Sequence, residues 1–289
     1  MNTLVSRILA GFLLFLTLLA IPAAVHAQLP ASPRRFVDFL DVRCYAIANQ
    51  PPLNFTLRLD HLNPVLQNLP FETVVLQSPQ QLCVPVRKNA LMPPADTLPF
   101  IQFVDWKCYG ITGPPINVPL ALTHLNPVIS GLLGPNLSVT LREPQQLCVP
   151  VVKNNANPPA NVLNLVKFLD VKCYRAEPDQ IKTAVLNLKH LNPLLAGLPV
   201  EASTIVGPQQ LCVPVMKNQQ ALPAAIAPYI RFADVLCYQA SGAPLGQNLM
   251  LKHINPVMST LPVENVFIGN SLKLCVPVAK NGMFPPGNP

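Results

Sequence analysis

Charge is the first thing this chain has little of. Only 11% of its 289 residues are Asp, Glu, Lys or Arg, where an ordinary soluble domain carries about a quarter, so uncharged side chains must cover most of its surface. The net charge of +7 is mild and dispersed. No cluster of Lys and Arg interleaved with aromatics marks a nucleic-acid-binding face, and no nucleic-acid partner is expected. Aromatic residues are also sparse, at 6% with a single Trp. A carbohydrate platform would want repeated exposed aromatics, and apart from the framework Phe and Tyr there is only Trp106, on an apolar face. Proline, by contrast, is abundant at 35 residues. It removes a backbone donor and breaks helix interiors, which excludes a helical bundle or a coiled coil.

Long apolar runs are absent after the first. Arg7 precedes an apolar stretch from Ile8 to Ile21, followed by Pro22 and the small-residue order Val25-His26-Ala27. The stretch is shorter than the roughly 20 residues that a membrane span needs, and it matches a signal peptide over residues 1–27 cleaved near Ala27. The chain is therefore expected to be secreted or periplasmic, with no membrane span in the mature protein. No cysteine stands at the cut, so lipid attachment is not expected. In that oxidising compartment an even set of cysteines reads as disulfides.

Three landmarks recur four times in the same order. The first is Phe-x-Asp-x-x-Cys-Tyr, at Phe39 to Tyr45, Phe103 to Tyr109, Phe168 to Tyr174 and Phe232 to Tyr238. The second is His-Leu/Ile-Asn-Pro, beginning at His61, His124, His190 and His253. The third is Leu-Cys-Val-Pro-Val-x-Lys-Asn, ending at Asn89, Asn154, Asn218 and Asn281. The first cysteines, Cys44, Cys108, Cys173 and Cys237, are spaced by 64, 65 and 64 residues. The organisation is thus a lead at 28–35, repeats at 36–89, 100–154, 165–218 and 229–281, connectors at 90–99, 155–164 and 219–228, and a Pro-rich tail at 282–289.

Within a repeat, side chains alternate as on strands. Leu40, Val42 and Cys44 share one face against Asp41, Arg43 and Tyr45, and Phe55, Leu57 and Leu59 share the parity of His61. The expected class is all-β, four tandem small sandwich- or barrel-like repeats of about four short strands, each with one disulfide. Proline inside the closing motif, at Pro85, Pro150, Pro214 and Pro277, is expected on an edge strand or a bulge. A unit of about 64 residues is small for its own core, so a covalent staple is expected. Two pairings compete. One joins Cys44 to Cys83, Cys108 to Cys148, Cys173 to Cys212 and Cys237 to Cys275, and would let each repeat fold independently. The other joins neighbouring repeats across a constant 25 residues and closes a ring through Cys44 and Cys275. Loop entropy does not separate them; the first is the simpler scheme.

Each repeat offers one acid (Asp41, Asp105, Asp170, Asp234), one histidine and one base (Lys88, Lys153, Lys217, Lys280). A catalytic triad also needs a nucleophile, and no Ser, Thr or spare Cys repeats in step with them. The parity of His61, His124, His190 and His253 points them inward, so they and the aspartates are read as structural. Zinc would need closer ligand spacing and free thiols. No catalytic residue, metal or cofactor is expected.

Cys-Tyr opening a unit, with Leu-Cys-Val-Pro-Val-x-Lys-Asn closing it, resembles an uncharacterised bacterial family of exported tandem domains of unknown function. The resemblance covers all four repeats and implies export and a β-rich repeat fold, with no activity attached. This chain departs at Arg87, Val152, Met216 and Ala279, where the family has an acid, and in the middle, where His-Leu-Asn-Pro stands near a segment that reads Asp-Gln-Phe in the family. A cation site built on those acids is not implied here. The expected function is noncatalytic: binding, adhesion or envelope structure through an unidentified extracellular or envelope ligand. The alternative is an exported hydrolase with an unlocated active site.

Overall fold

The computed structural model describes residues 29–289 except Asn49 and Asn255. The expected leader, 1–27, lies outside the described residues. Repeat 1 runs α1 (Pro33–Val37), β1 (Val42–Ile47), β2 (Phe55–His61), β3 (Glu72–Leu76) and β4 (Pro79–Lys88). Repeat 2 runs α2 (Leu98–Ile101), β5 (Trp106–Gly110), β6 (Val118–His124), α3 (Pro127–Leu133) and β7 (Asn136–Lys153). Repeat 3 comprises α4 (Ala160–Val166), β8 (Val171–Pro178), β9 (Thr183–His190) and β10 (Glu201–Lys217), and repeat 4 comprises α5 (Ala227–Ile230), β11 (Val235–Ala240), β12 (Gln247–His253) and β13 (Glu264–Lys280). The third and fourth strands predicted for each repeat are separate only in repeat 1. In the others they run together as one long strand, with register shifts around Pro144 in β7 and Pro208 in β10.

The all-β class and the within-repeat disulfides agree with the sequence reading. The independence of the units does not. Two strands per repeat form a continuous antiparallel circuit: β1 pairs β4, then β5, β7, β8, β10, β11 and β13 follow, and β13 pairs back to β1. The circuit is a closed eight-stranded barrel with one quarter from each repeat. Eight strands leave an interior that side chains can just fill, and here its middle is filled by sulfur. Cys44, Cys83, Cys108, Cys148, Cys173, Cys212, Cys237 and Cys275 all face one central space. Each bonded pair is directly opposed in register. Sulfurs of neighbouring repeats lie 3.7–3.8 Å apart, including Cys44 against Cys275. The ring expected under the second pairing is thus present as contact, while the bonds follow the first.

One end of the barrel is closed by helices. Phe36, Phe100, Leu165, Ile230 and their neighbours pack with Val42, Trp106, Val171 and Val235 beside the cysteines in a single apolar cluster. These helices are four to seven residues long, too short to show a 3.6-residue period, and the strand-only reading missed them. Ser32 caps α1 by accepting from Arg35 N, with Pro33 in the first turn, where its missing N–H costs nothing.

The remaining strands form four arms over the outer barrel wall. Each arm strand pairs with its own repeat on one edge and, on the other, with the repeat two places away: β2 with β10, β9 with β4, β6 with β13 and β12 with β7. This explains the closing-motif prolines, which lie neither at an edge nor at a bulge. Val86 N donates to Asp41 O on the β1 side, so the preceding residue faces the opposite neighbour. On that side the pairing of β4 with β5 stops at Cys83↔Trp106 and its pairing with β9 starts at Val86↔His190. Pro85 occupies the changeover, where no partner requires its N–H, and its carbonyl accepts from Leu191 N at 3.0 Å. Pro150, Pro214 and Pro277 accept in the same way from Ile254, Leu62 and Leu125.

Because every repeat shares strands with the other three, the chain should unfold as one unit. Calorimetry of the disulfide-intact protein is expected to give a single transition. Deleting residues 229–281, which strips β1 and β6 of one partner each, should abolish folding rather than leave three intact domains.

Candidate functional site

The four repeated histidines end the four arm strands, and the hairpin geometry that packs Leu57 and Leu59 against the barrel carries His61 inward with them. Each meets the tyrosine of the Cys-Tyr landmark two repeats away. His61 Nε2 lies 2.7 Å from Tyr174 Oη, His190 Nε2 3.0 Å from Tyr45 Oη, His253 Nε2 2.8 Å from Tyr109 Oη and His124 Nε2 2.6 Å from Tyr238 Oη. All four histidines are buried, and burial pulls their pKa values down, aided by lysines or arginine nearby. His61 and His190 fall to about 4 and His253 to about 3; His124 is lowered too. Burial likewise raises all four tyrosines. The rings are neutral hydrogen-bond partners at neutral pH.

The aspartates sit apart from the histidines. Asp41, Asp105, Asp170 and Asp234 pair within their own repeats with Lys88, Lys153, Lys217 and Lys280, all buried. Burial pushes each carboxyl up and each amine down, and the partner's charge opposes both shifts. The Asn of the histidine landmark reaches the aspartate of the preceding repeat. Asn126 Nδ2 donates to Asp41, Asn192 to Asp105 and Asn63, completing the circle, to Asp234. The same Asn side chains accept from the backbone N–H two residues on. The last Asn of each repeat adopts positive φ at Asn89, Asn154, Asn218 and Asn281 and exchanges hydrogen bonds with the arm two repeats away, as Asn218 does with Arg58.

Three of the Tyr–His sites also contain an ion pair. Arg43 bonds Glu201, Lys107 bonds Glu264 at 2.5 Å and Lys172 bonds Glu72 at 2.5 Å. Their cationic groups lie 4.8–5.3 Å from the ring centroids of Tyr45, Tyr109 and Tyr174. Tyr174 donates to Glu72 at 3.1 Å, so His61 donates to Tyr174 and the chain of bonds runs from imidazole to carboxylate. Gly242 gives Arg43 its room, since a Cβ there would collide with Nη2.

The fourth site breaks the pattern at both positions together. Leu236 stands where the others have Arg or Lys, and Leu137 where they have Glu, as the shared register shows: Leu137 opposes Leu122 as Glu72 opposes Leu59. The bond direction reverses as well. His124 Nδ1 donates to Gly134 O at 2.9 Å, which leaves Nε2 to accept from Tyr238. A cavity of about 80 Å³ lies here, lined by His124, Tyr238, Leu137, Asn136, Asp179 and Lys182 among others. It draws residues from repeats 2, 3 and 4. Lys182 Nζ is held by Leu133 O at 2.6 Å, and no Ser, Thr or Cys lines the space.

Sequence reasoning found the repeated histidines and aspartates but missed the tyrosines as their partners and the three glutamates altogether. The signal was present: Glu72, Glu201 and Glu264 each stand eleven residues after their repeat's histidine. Among the described residues no group of three or more His, Cys, Asp or Glu is placed to hold a metal ion. Comparisons with protein-family models, with curated proteins and with solved structures find no match to this chain.

Two outcomes test this arrangement. Leu236→Lys alone should cost about 3–5 kcal/mol in denaturant unfolding, because it buries a charge without a partner, and adding Leu137→Glu should recover most of that loss by rebuilding the pair the other sites contain. For pH, His253 is neutral in the fold down to about 3, whereas an unfolded histidine protonates near pH 6.5. The unfolded chain therefore binds more protons as pH falls. Relative to His253→Gln, the wild type should lose stability progressively from pH 6.5 toward 3, with no further relative loss below that.

Proposed function

We propose that the protein is exported, with residues 1–27 removed near Ala27, and serves outside the cytoplasm as a noncatalytic binding scaffold. Four disulfides with no free cysteine among the described residues fit an oxidising, extracytoplasmic environment. No helix among the described residues is long and apolar enough to cross a membrane. The observation that carries the reading is how the repeated polar residues are used. The four Tyr–His pairs, the four Asp–Lys pairs and the three described Asn–Asp bonds are engaged inside the fold. On the outside the closing-motif Asn recurs but is hydrogen-bonded to an arm, and the recurring side chains left without such bonds are apolar. Phe71, Val200 and Val263 hold the same position in three arms, directly before the ion-paired glutamate, and are 54, 55 and 45% exposed. Equivalent contact points on one rigid body support binding through several weak sites acting together.

The cavity beside His124 favours a second reading, an exported hydrolase, because it is built from nonequivalent residues of three repeats. Both ring nitrogens of His124 are already engaged and no nucleophile lines the space, so binding is the better account. The test is to isolate the exported protein, whose sequence should begin at Gln28, and measure its retention on cell-surface and wall fractions. Replacing Phe71, Val200 and Val263 together by Ser should abolish retention without lowering the melting temperature. Turnover of chromogenic ester or glycoside substrates, lost on His124→Gln, would overturn this reading in favour of the hydrolase.

A further inference from the structure

The mouth of the barrel opposite the helices is ringed by one residue per repeat, two places before the second cysteine: Gln81, Gln146, Gln210 and, in repeat 4, Lys273. The lysine is the odd member. Gln210 Oε1 accepts from its Nζ at 2.7 Å, and Gln210 is itself oriented by donating to Gln145. Lys273 is 9% exposed, yet no carboxylate lies within ion-pair distance among the described residues. The more deeply buried Lys88, Lys107, Lys153, Lys172, Lys217 and Lys280 all have one. Lys273 also lines an open groove of about 500 Å³, together with Arg175, Glu177, Gln145 and Gln209, so its amine has a path to solvent.

We propose that Lys273 is a covalent capture site for small carbonyl compounds entering the barrel mouth. The chemistry needs a neutral amine that is reachable and directed. Burial without a counter-ion lowers Lys273 to about 8, so about a tenth of it is neutral near pH 7, where an exposed lysine is almost wholly protonated. Nζ adds to the carbonyl carbon to form a C–N bond. Protons pass from nitrogen to oxygen, the oxygen leaves as water, and an imine results, with no oxidant or reductant required. Polar side chains along the groove suit a hydroxylated aldehyde. The proposal is independent of what occupies the cavity at His124 or contacts the exposed arm residues.

The test uses the full disulfide-bonded protein with glycolaldehyde as probe and cyanoborohydride to reduce the imine to a stable amine, followed by peptide mass mapping. At pH 7 and limiting probe, labelling at Lys273 should exceed that at exposed Lys252 by about tenfold or more. Its rate should level off above a midpoint near 8. Lys273→Gln installs the residue that the other three repeats carry at this position, so the fold is retained, and it should remove that label alone. Labelling of Lys273 no faster than Lys252, or a rate still climbing past pH 10, would overturn the proposal.

Discussion

Closure of the barrel through the pairing of β13 with β1 sets the terms for everything else in the molecule. Once eight strands close, each repeat must contribute the same kind of inward residue at each level, because the circumference is shared. The levels read, from the helical end, as apolar side chains at Val42, Trp106, Val171 and Val235, then sulfur, then the amide ring with its one amine. Two cysteines per repeat fill the middle level with short side chains joined across adjacent strands. The disulfides are therefore core material as well as cross-links, which bears on how so small a repeat takes part in a stable fold.

The same closure turns the opposite face of every barrel strand outward, and the arms then cover it. That face carries Arg43, Tyr45 and their equivalents, all buried. A buried polar group without a partner costs about 1–3 kcal/mol, and a buried unpaired charge more. Partners must come from whatever lies on top, which is the arm two repeats away. The diagonal Tyr–His and Lys–Glu pairs follow from that placement. So does the paired change to Leu236 and Leu137: once one charge is absent, its buried counterpart is a liability, and both positions become apolar in step.

Much of this was legible in the sequence. Period-two alternation gave the strands, the parity of His61 with Leu57 and Leu59 gave its inward direction, and the even cysteines gave the staples. The relation between repeats was not legible, because a repeat period of 64 or 65 residues fits separate beads as well as quarters of one barrel. The proline in Leu-Cys-Val-Pro-Val was misread for a related reason. Its missing N–H implies a strand position without a partner, and sequence alone offers an edge or a bulge; a point where one neighbour hands over to another exists only when distant strands converge. The short helices carry too few turns for periodicity to register. The departures at Leu236, Leu137 and Lys273 are visible as breaks in the repeat, yet their meaning depends on which residues face them.

The two-apart pairing also orders events in time. A chain made from its N-terminus has β2 long before β10, which completes its other edge, and β1 long before β13. Until the last quarter exists, apolar strands such as Phe55-Thr56-Leu57 have an open side, and contacts this distant in sequence form slowly. Open edges of that kind recruit other strands. Synthesis of this protein therefore passes through a prolonged interval in which early segments must be kept from pairing wrongly, and the final strand ends that interval for all four repeats at once.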